Sequence, residues 1–356
     1  MTDQYNIDSH KMHLHPERLA AWLRGEPVAP IYLEISPSGA CNCRCRFCGM
    51  DFLGYRKRLW DTALLKDRVE GMGRLGLKSV MYAGEGEPFL HPDLPDIVEH
   101  THGVGVDVAI TTNAVLMGEE AASRVLGHVR WIKASVNAGT PETYARVHGV
   151  AAGKFHDAVR NLERAAAVRA RRGLDCTLGM QMVLLPENAH EAPILARLAR
   201  EAGLDYLVVK PYSQHPLSGN REFADLRYPD MAALDESLRA LETDAFNVIF
   251  RRETMRRLDQ PRHAFDRCLG LPFAGYVDTG GDVWGCLAYI TDERFLFGNL
   301  VAQSPQEVFF GPRRAKVLRF AAEALDVGAC RVNCRLEAAN RYLWQLKHPS
   351  PHVNFI

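Results

Sequence analysis

Four of the chain's nine cysteines fall in one short run, Cys41, Cys43, Cys45 and Cys48. Taking Cys41, Cys45 and Cys48 gives the spacing C-x3-C-x2-C. Three thiolates on one tight loop hold three irons of a [4Fe–4S] cluster and leave the fourth iron open for a ligand. The alternative is zinc, but structural zinc usually takes four ligands split between two knuckles, and the neighbouring sequence supplies no second one. Cys43 is then a bystander or an alternative ligand.

A second set stands near the C-terminus: Cys268, Cys286, Cys330 and Cys334. Cys286 ends a Gly-x4-Cys element that starts at Gly281, and the last two form C-x3-C. Four separated thiolates suit a closed, all-cysteine site for a second cluster, although the same cage also suits zinc. Cys176 stands apart from both sets. A lone cysteine is usually a small buried hydrophobe; pointed into a reaction cavity, its S–H can also return a hydrogen atom to a radical.

The elements that must position these residues are legible as apolar runs. Strand candidates are 31–36, Ser79–Ala83, Val106–Thr111, Trp131–Ser135, Cys176–Leu185 and Tyr206–Lys210. Helical patterns lie between them near 61–75, 93–103, 118–127, 155–172 and 191–203. Buried strands alternating with amphipathic helices predict an α/β fold with a parallel sheet or barrel. Residues 1–30 read as a polar lead-in with a short helix over His15–Leu23, 31–215 as the main domain, 216–267 as a connector and 268–356 as a small cysteine-bearing domain.

Composition bounds the setting. Hydrophobic content of 47% and charged content of 24% are those of an ordinary globular protein. A formal net charge of zero gives no global case for nucleic acid or for an anionic membrane. The polar N-terminus lacks signal-peptide order, and no apolar run approaches the roughly 20 residues that span a bilayer. Nine cysteines without a signal peptide point to a reducing cytoplasm and metal ligation.

With Asn42 after its first cysteine and Phe47 before its third, the cluster loop resembles that of the radical S-adenosylmethionine (SAM) enzymes. The resemblance implies a partial (β/α)6 TIM-like barrel with SAM on the open iron. Gly84-Glu85-Gly86-Glu87-Pro88 resembles the family's Gly-Gly-Glu-Pro, with Glu85 replacing the first glycine. Thr111-Thr112-Asn113 resembles its Thr-Asn-Gly, and Lys133-Ala-Ser135-Val-Asn137 resembles the segment that contacts SAM's ribose and carboxylate. By this resemblance Gly84, Gly86, Glu87, Asn113, Ser135, Asn137, Gln181 and Lys210 bind SAM, although Lys210 can equally face substrate.

The C-terminal segment resembles the "twitch" or shortened SPASM domain, which implies an auxiliary [4Fe–4S] cluster. The whole pattern looks most like the radical SAM enzymes of aminoglycoside biosynthesis. That implies a sugar or aminoglycoside substrate and a flavodoxin- or ferredoxin-type reductant. The polar segment from Leu207 to Pro216 would then meet the substrate. Two outcomes follow hydrogen abstraction from a carbinol carbon: epimerisation, with Cys176 returning hydrogen, or dehydrogenation, with the auxiliary cluster taking an electron. Peptide modification is a third.

Overall fold

The computed structural model describes residues 5, 7, 9–260, 262–331 and 333–355, so part of the lead-in lies outside the described residues. Ten strands form one sheet in the order β10-β9-β8-β1-β2-β3-β4-β5-β6-β7. The seven strands of the barrel are β1 (Tyr32–Ile35), β2 (Ser79–Tyr82), β3 (Asp107–Thr112), β4 (Trp131–Ser135), β5 (Thr177–Leu184), β6 (Tyr206–Pro211) and β7 (Asn247–Phe250). All pair in parallel with their sequence neighbours. The first six fall on the expected runs. The seventh lies in the stretch read as a connector, where Asn247–Phe250 extends β6.

Helices α1 (Pro16–Leu23), α2 (Thr62–Arg74), α3 (Leu94–Gly103), α4 (Glu119–Val125), α5 (Pro141–His148), α6 (Gly153–Arg172) and α7 (Ala192–Glu201) precede β6. From α2 on they pack against the outer sheet face, where Leu33, Ile35, Val80, Val108, Ile110, Ile132 and Leu178 are buried. The inner face carries alternate residues of each strand, as the two-residue period requires. Helix α5 is the one the sequence reading missed. Its start is marked by Thr140, whose hydroxyl accepts from Thr143 N, followed by Pro141; its end is Gly149, at φ +61°.

The C-terminal segment joins the same sheet. Its first strand, β8 (Ala274–Val277), pairs in parallel with β1, and β9 (Asp282–Trp284) and β10 (Leu296–Asn299) continue the sheet antiparallel. The remaining helices are α8 (Ala232–Arg239), α9 (Arg252–Arg257), α10 (Pro305–Phe310), α11 (Pro312–Glu323) and α12 (Glu337–Lys347). The lead-in is also built in. Leu19 of α1 shares a core with Phe273 and with Leu343 of α12. Tyr5 packs on the Tyr206 ring at 5.2 Å, and both it and Ile7 join an apolar group with Val208 and Ile249 inside the barrel.

Candidate functional site

The cluster loop follows β1 at the strand's C-terminal end, where such barrels place their chemistry. Backbone carbonyls at the end of α5 hold it: Arg44 N donates to His148 O at 2.8 Å and Arg46 N to Val147 O at 3.0 Å. Gly149 is required there, since a Cβ would lie 2.6 Å from Arg44 O. His148 also reaches Cys45, with Nδ1 3.2 Å from Sγ. Burial pushes this imidazole down to about 4, so it is neutral. Its Nε2 lies 2.8 Å from Val136 O, which assigns the ring proton to Nε2 and leaves the Nδ1 lone pair facing the cysteine.

The loop after β2 closes on the same cysteines. Gly84 sits at φ +113°, with Ser36 Oγ and the Tyr276 ring where its Cβ would be. Gly86 is tighter, since a Cβ would stand 2.3 Å from the carbonyl oxygens of both Ser38 and Ala40. Glu85 is tolerated in the family's glycine position because its side chain turns away and accepts from Thr279 N at 2.6 Å. The Glu87 carboxylate is buried and accepts from Thr112 Oγ1 at 2.6 Å, Asn113 N at 2.8 Å and Phe89 N at 3.1 Å. It binds the β2 loop to the β3 loop.

The four C-terminal cysteines converge across the cavity. Cys268 packs beside Cys286 and Cys330 in one apolar cluster. Burial pushes Cys268 up to about 11 and Cys286 up to about 12, each also raised by neighbouring cysteines. Burial likewise raises Cys334, with Cys286 and Cys268 adding to it. Asn340 fixes this region, accepting from Leu269 N and Gly270 N while its amide faces Cys268 Sγ at 3.6 Å. Arg331, between the last two cysteines, donates to Ser213 Oγ and Ser213 O, both at 2.6 Å.

One cavity of about 670 Å³ is lined by both cysteine sets and by Gly84, Gly86, Glu87, Asn113, Ser135, Gln181 and Lys210. The donor chemistry and the close glycine packing fit an iron–sulfur cluster with a small cofactor above it. The Tyr144 hydroxyl, buried near Cys43 and Cys45, has no hydrogen-bond partner among the described residues. Among those residues, no three His, Cys, Asp or Glu side chains stand close enough to share one metal ion. A four-iron cluster spreads its thiolates over separate irons, whereas zinc gathers them on one centre.

Two expected site residues are elsewhere. Asn137 is fully buried and does not line the cavity; its Oδ1 accepts from Val183 N at 2.7 Å and its Nδ2 faces His148 Nε2 at 3.3 Å. It braces β4 against β5. Cys176 precedes β5, at the strand's N-terminal end, packed in the core where burial pushes its thiol up to about 11. Gln181, which does reach the cavity, is five residues further on, roughly 16 Å at the rise of a strand. Cys176 therefore cannot return hydrogen to a substrate there.

The segment after β6 also differs from expectation. His215 Nε2 lies 3.0 Å from Leu287 O, and its ring stacks on Phe52 at 5.0 Å, while Asn220 N donates to Asp51 Oδ2 at 3.1 Å. It straps the cluster loop to the C-terminal segment, and only Tyr212 and Ser213 of its polar residues face the cavity. Sequence reasoning missed His148 and Lys133, both on the cavity wall. The helix start at Thr140-Pro141 and stop at Gly149 would have placed His148 beside the loop.

A parallel-strand barrel with a three-cysteine loop after its first strand defines an iron–sulfur enzyme domain. Residues 35–199 match the Radical SAM superfamily, whose cofactors are a [4Fe–4S] cluster and SAM. Among curated proteins, the chain is 24% identical over 190 residues to GTP 3',8-cyclase of Chlorobaculum tepidum, covering 52% of this chain and 56% of that one. It is 28% identical over 294 residues to PqqA peptide cyclase of Xanthomonas axonopodis pv. citri, covering 80% and 74%. Streptococcus suis SuiB bound to S-adenosylmethionine shares the fold at TM-score 0.65 and 18% identity, over 95% of this chain and 79% of that one. The anSMEcpe enzyme with bound AdoMet and Kp18Cys peptide superposes at TM-score 0.58 and 16% identity, over 82% and 83%. Among the described residues no helix is long and apolar enough to cross a membrane.

Proposed function

We propose that this chain is a radical SAM dehydrogenase that oxidises a carbinol C–H of a hydroxylated substrate to a carbonyl. Cys41, Cys45 and Cys48 hold the SAM-binding cluster; Cys268, Cys286, Cys330 and Cys334 hold an auxiliary one. The carrying observation is that both cysteine sets face a single cavity. When bound, these groups supply an adenosyl radical that removes one hydrogen atom from substrate and an acceptor for one electron, the remaining proton leaving to a cavity base or water.

The chain's own residues hold and enclose. Glu87 and Asn113 tie the SAM-side loops together, Ser135 and Gln181 present polar groups to the cofactor, and Arg331 fastens the auxiliary loop to the barrel mouth. Epimerisation finds no support, because the proposed hydrogen donor Cys176 stands at the wrong end of β5. Oxidation within a peptide is a second reading, favoured by the alignment of 80% of the chain, at 28% identity, with a peptide cyclase. Mass spectrometry of products from hydroxylated acids and sugars tests the proposal. A product lighter by two hydrogens, without inversion, supports it; an inverted product of unchanged mass would sink it.

A further inference from the structure

The cavity wall carries two lysines that have no counter-ion among the described residues. Lys133 lies two residues before Ser135 on β4, and Lys210 two residues after Val208 on β6, so strand alternation turns both inward with their cavity-lining neighbours. Strand β5 separates them, with Gly179 opposite Lys133, Val183 opposite Lys210 and Gln181 between the two on the inner face. Lys133 rests over the Trp131 ring at 5.5 Å, and neither lysine has an ion pair or hydrogen bond among the described residues. Arg251, directly after β7, and Arg331 of the auxiliary loop add positive charge on the same wall.

Among the described residues lining the cavity the single carboxylate is Glu87, and its oxygens already accept three hydrogen bonds. Buried charges are normally paired, and two like charges brought together without a partner oppose each other. We infer that Lys133 and Lys210 bind an anionic group of the substrate, a carboxylate or a phosphate. This rests on the cavity being the substrate site of the proposed dehydrogenase and narrows the substrate to a hydroxylated acid or phosphate ester. A polycationic aminoglycoside would meet repulsion on this wall.

Ser135 and Gln181 are register partners one inward step closer to the cluster loop than Lys133 and Gly179. Lys133 therefore stands one inward step deeper in the barrel than that pair, and Lys210, the register partner of Val183, one step nearer the cluster loop.

The test is calorimetric titration of the anaerobically reconstituted holoenzyme with pyrophosphate, with succinate and with kanamycin. Wild type, Lys133→Met, Lys210→Met, Lys210→Arg and the exposed control Lys316→Met are compared, with iron content and melting temperature confirming that each is folded. One of the two anions is expected to bind, the stronger naming phosphate or carboxylate. Each Met variant should weaken it about tenfold or more, while Lys210→Arg and Lys316→Met keep it. The assignment is overturned if neither anion binds, if kanamycin binds as well, if both Met variants bind like wild type, or if SAM affinity falls by the same factor. Formation of 5'-deoxyadenosine by wild type is scored separately, so a protein that binds the anion but makes none refutes the radical reading alone.

Discussion

Asn113 Nδ2 donates to Asn42 Oδ1 at 2.6 Å, joining the loop after β3 to the loop that carries the cluster cysteines. The same side chain accepts from Val115 N at 3.0 Å, and its backbone N–H donates to Glu87. Three barrel loops thus meet at one amide. Replacing it with Leu leaves the Val115 N–H and Asn42 oxygen without their partner, a loss of about 1–3 kcal/mol. Asn113→Leu should melt lower and retain less iron after desalting. A variant that holds iron like wild type would show that the link does not organise the loop.

Gly86→Ala is predicted to be more severe. Its Cβ would sit 2.3 Å from two backbone carbonyl oxygens, which no side-chain rotation relieves. The cluster loop and the β2 loop must part for it to fit. Iron incorporation and SAM affinity should both fall at least about tenfold, as expected where packed backbone has no room to give. Glu85→Ala should leave both near wild type, because Glu85 points to Thr279 N and away from the cofactor.

Much of this arrangement was legible from residue spacing. The cluster cysteines, the β2 loop and six strands follow from local patterns, and all of the expected cluster cysteines reach the cavity. Cys176 and Asn137 stand off the cavity for different reasons, one set by which end of a strand it occupies and the other by the backbone turn after a strand. Cys176 stands one residue before β5 begins. Asn137 lies past the end of β4 at φ +60°, where the chain turns its side chain back into the sheet. Strand β7 was hidden because Asn247–Phe250 is short and flanked by charged residues. The pairing of β8 with β1 is a long-range contact that no local period encodes.

Cys176→Ala should turn over substrate at the wild-type rate and incorporate no more or less solvent deuterium. Its visible effect is on stability, about 1 kcal/mol for a small buried side chain. A large fall in product formation at unchanged folding would restore Cys176 to the mechanism.

The anion site should depend on pH through Lys133. Burial pushes this amine down to about 8, with Arg251 of the neighbouring wall lowering it further, and Trp131 as its remaining contact. Lys210, on the far side of β5 and nearer the strand's C-terminal end, is lowered by burial and by Lys133, Arg251 and Arg331. Anion binding needs the protonated amines, so affinity declines as pH rises through about 8, where Lys133 loses its proton. Titrations at successive pH values check this; affinity that holds or grows above that range would contradict the sign.

The account stands or falls on radical generation at the Cys41–Cys48 loop. The most direct measurement is 5'-deoxyadenosine formed by the anaerobically reconstituted enzyme with dithionite and SAM. Wild type and Cys43→Ala are predicted to form it, and Cys48→Ala to form none while keeping its auxiliary iron. Absence of 5'-deoxyadenosine from iron-loaded wild type, or its undiminished formation by Cys48→Ala, would contradict the account.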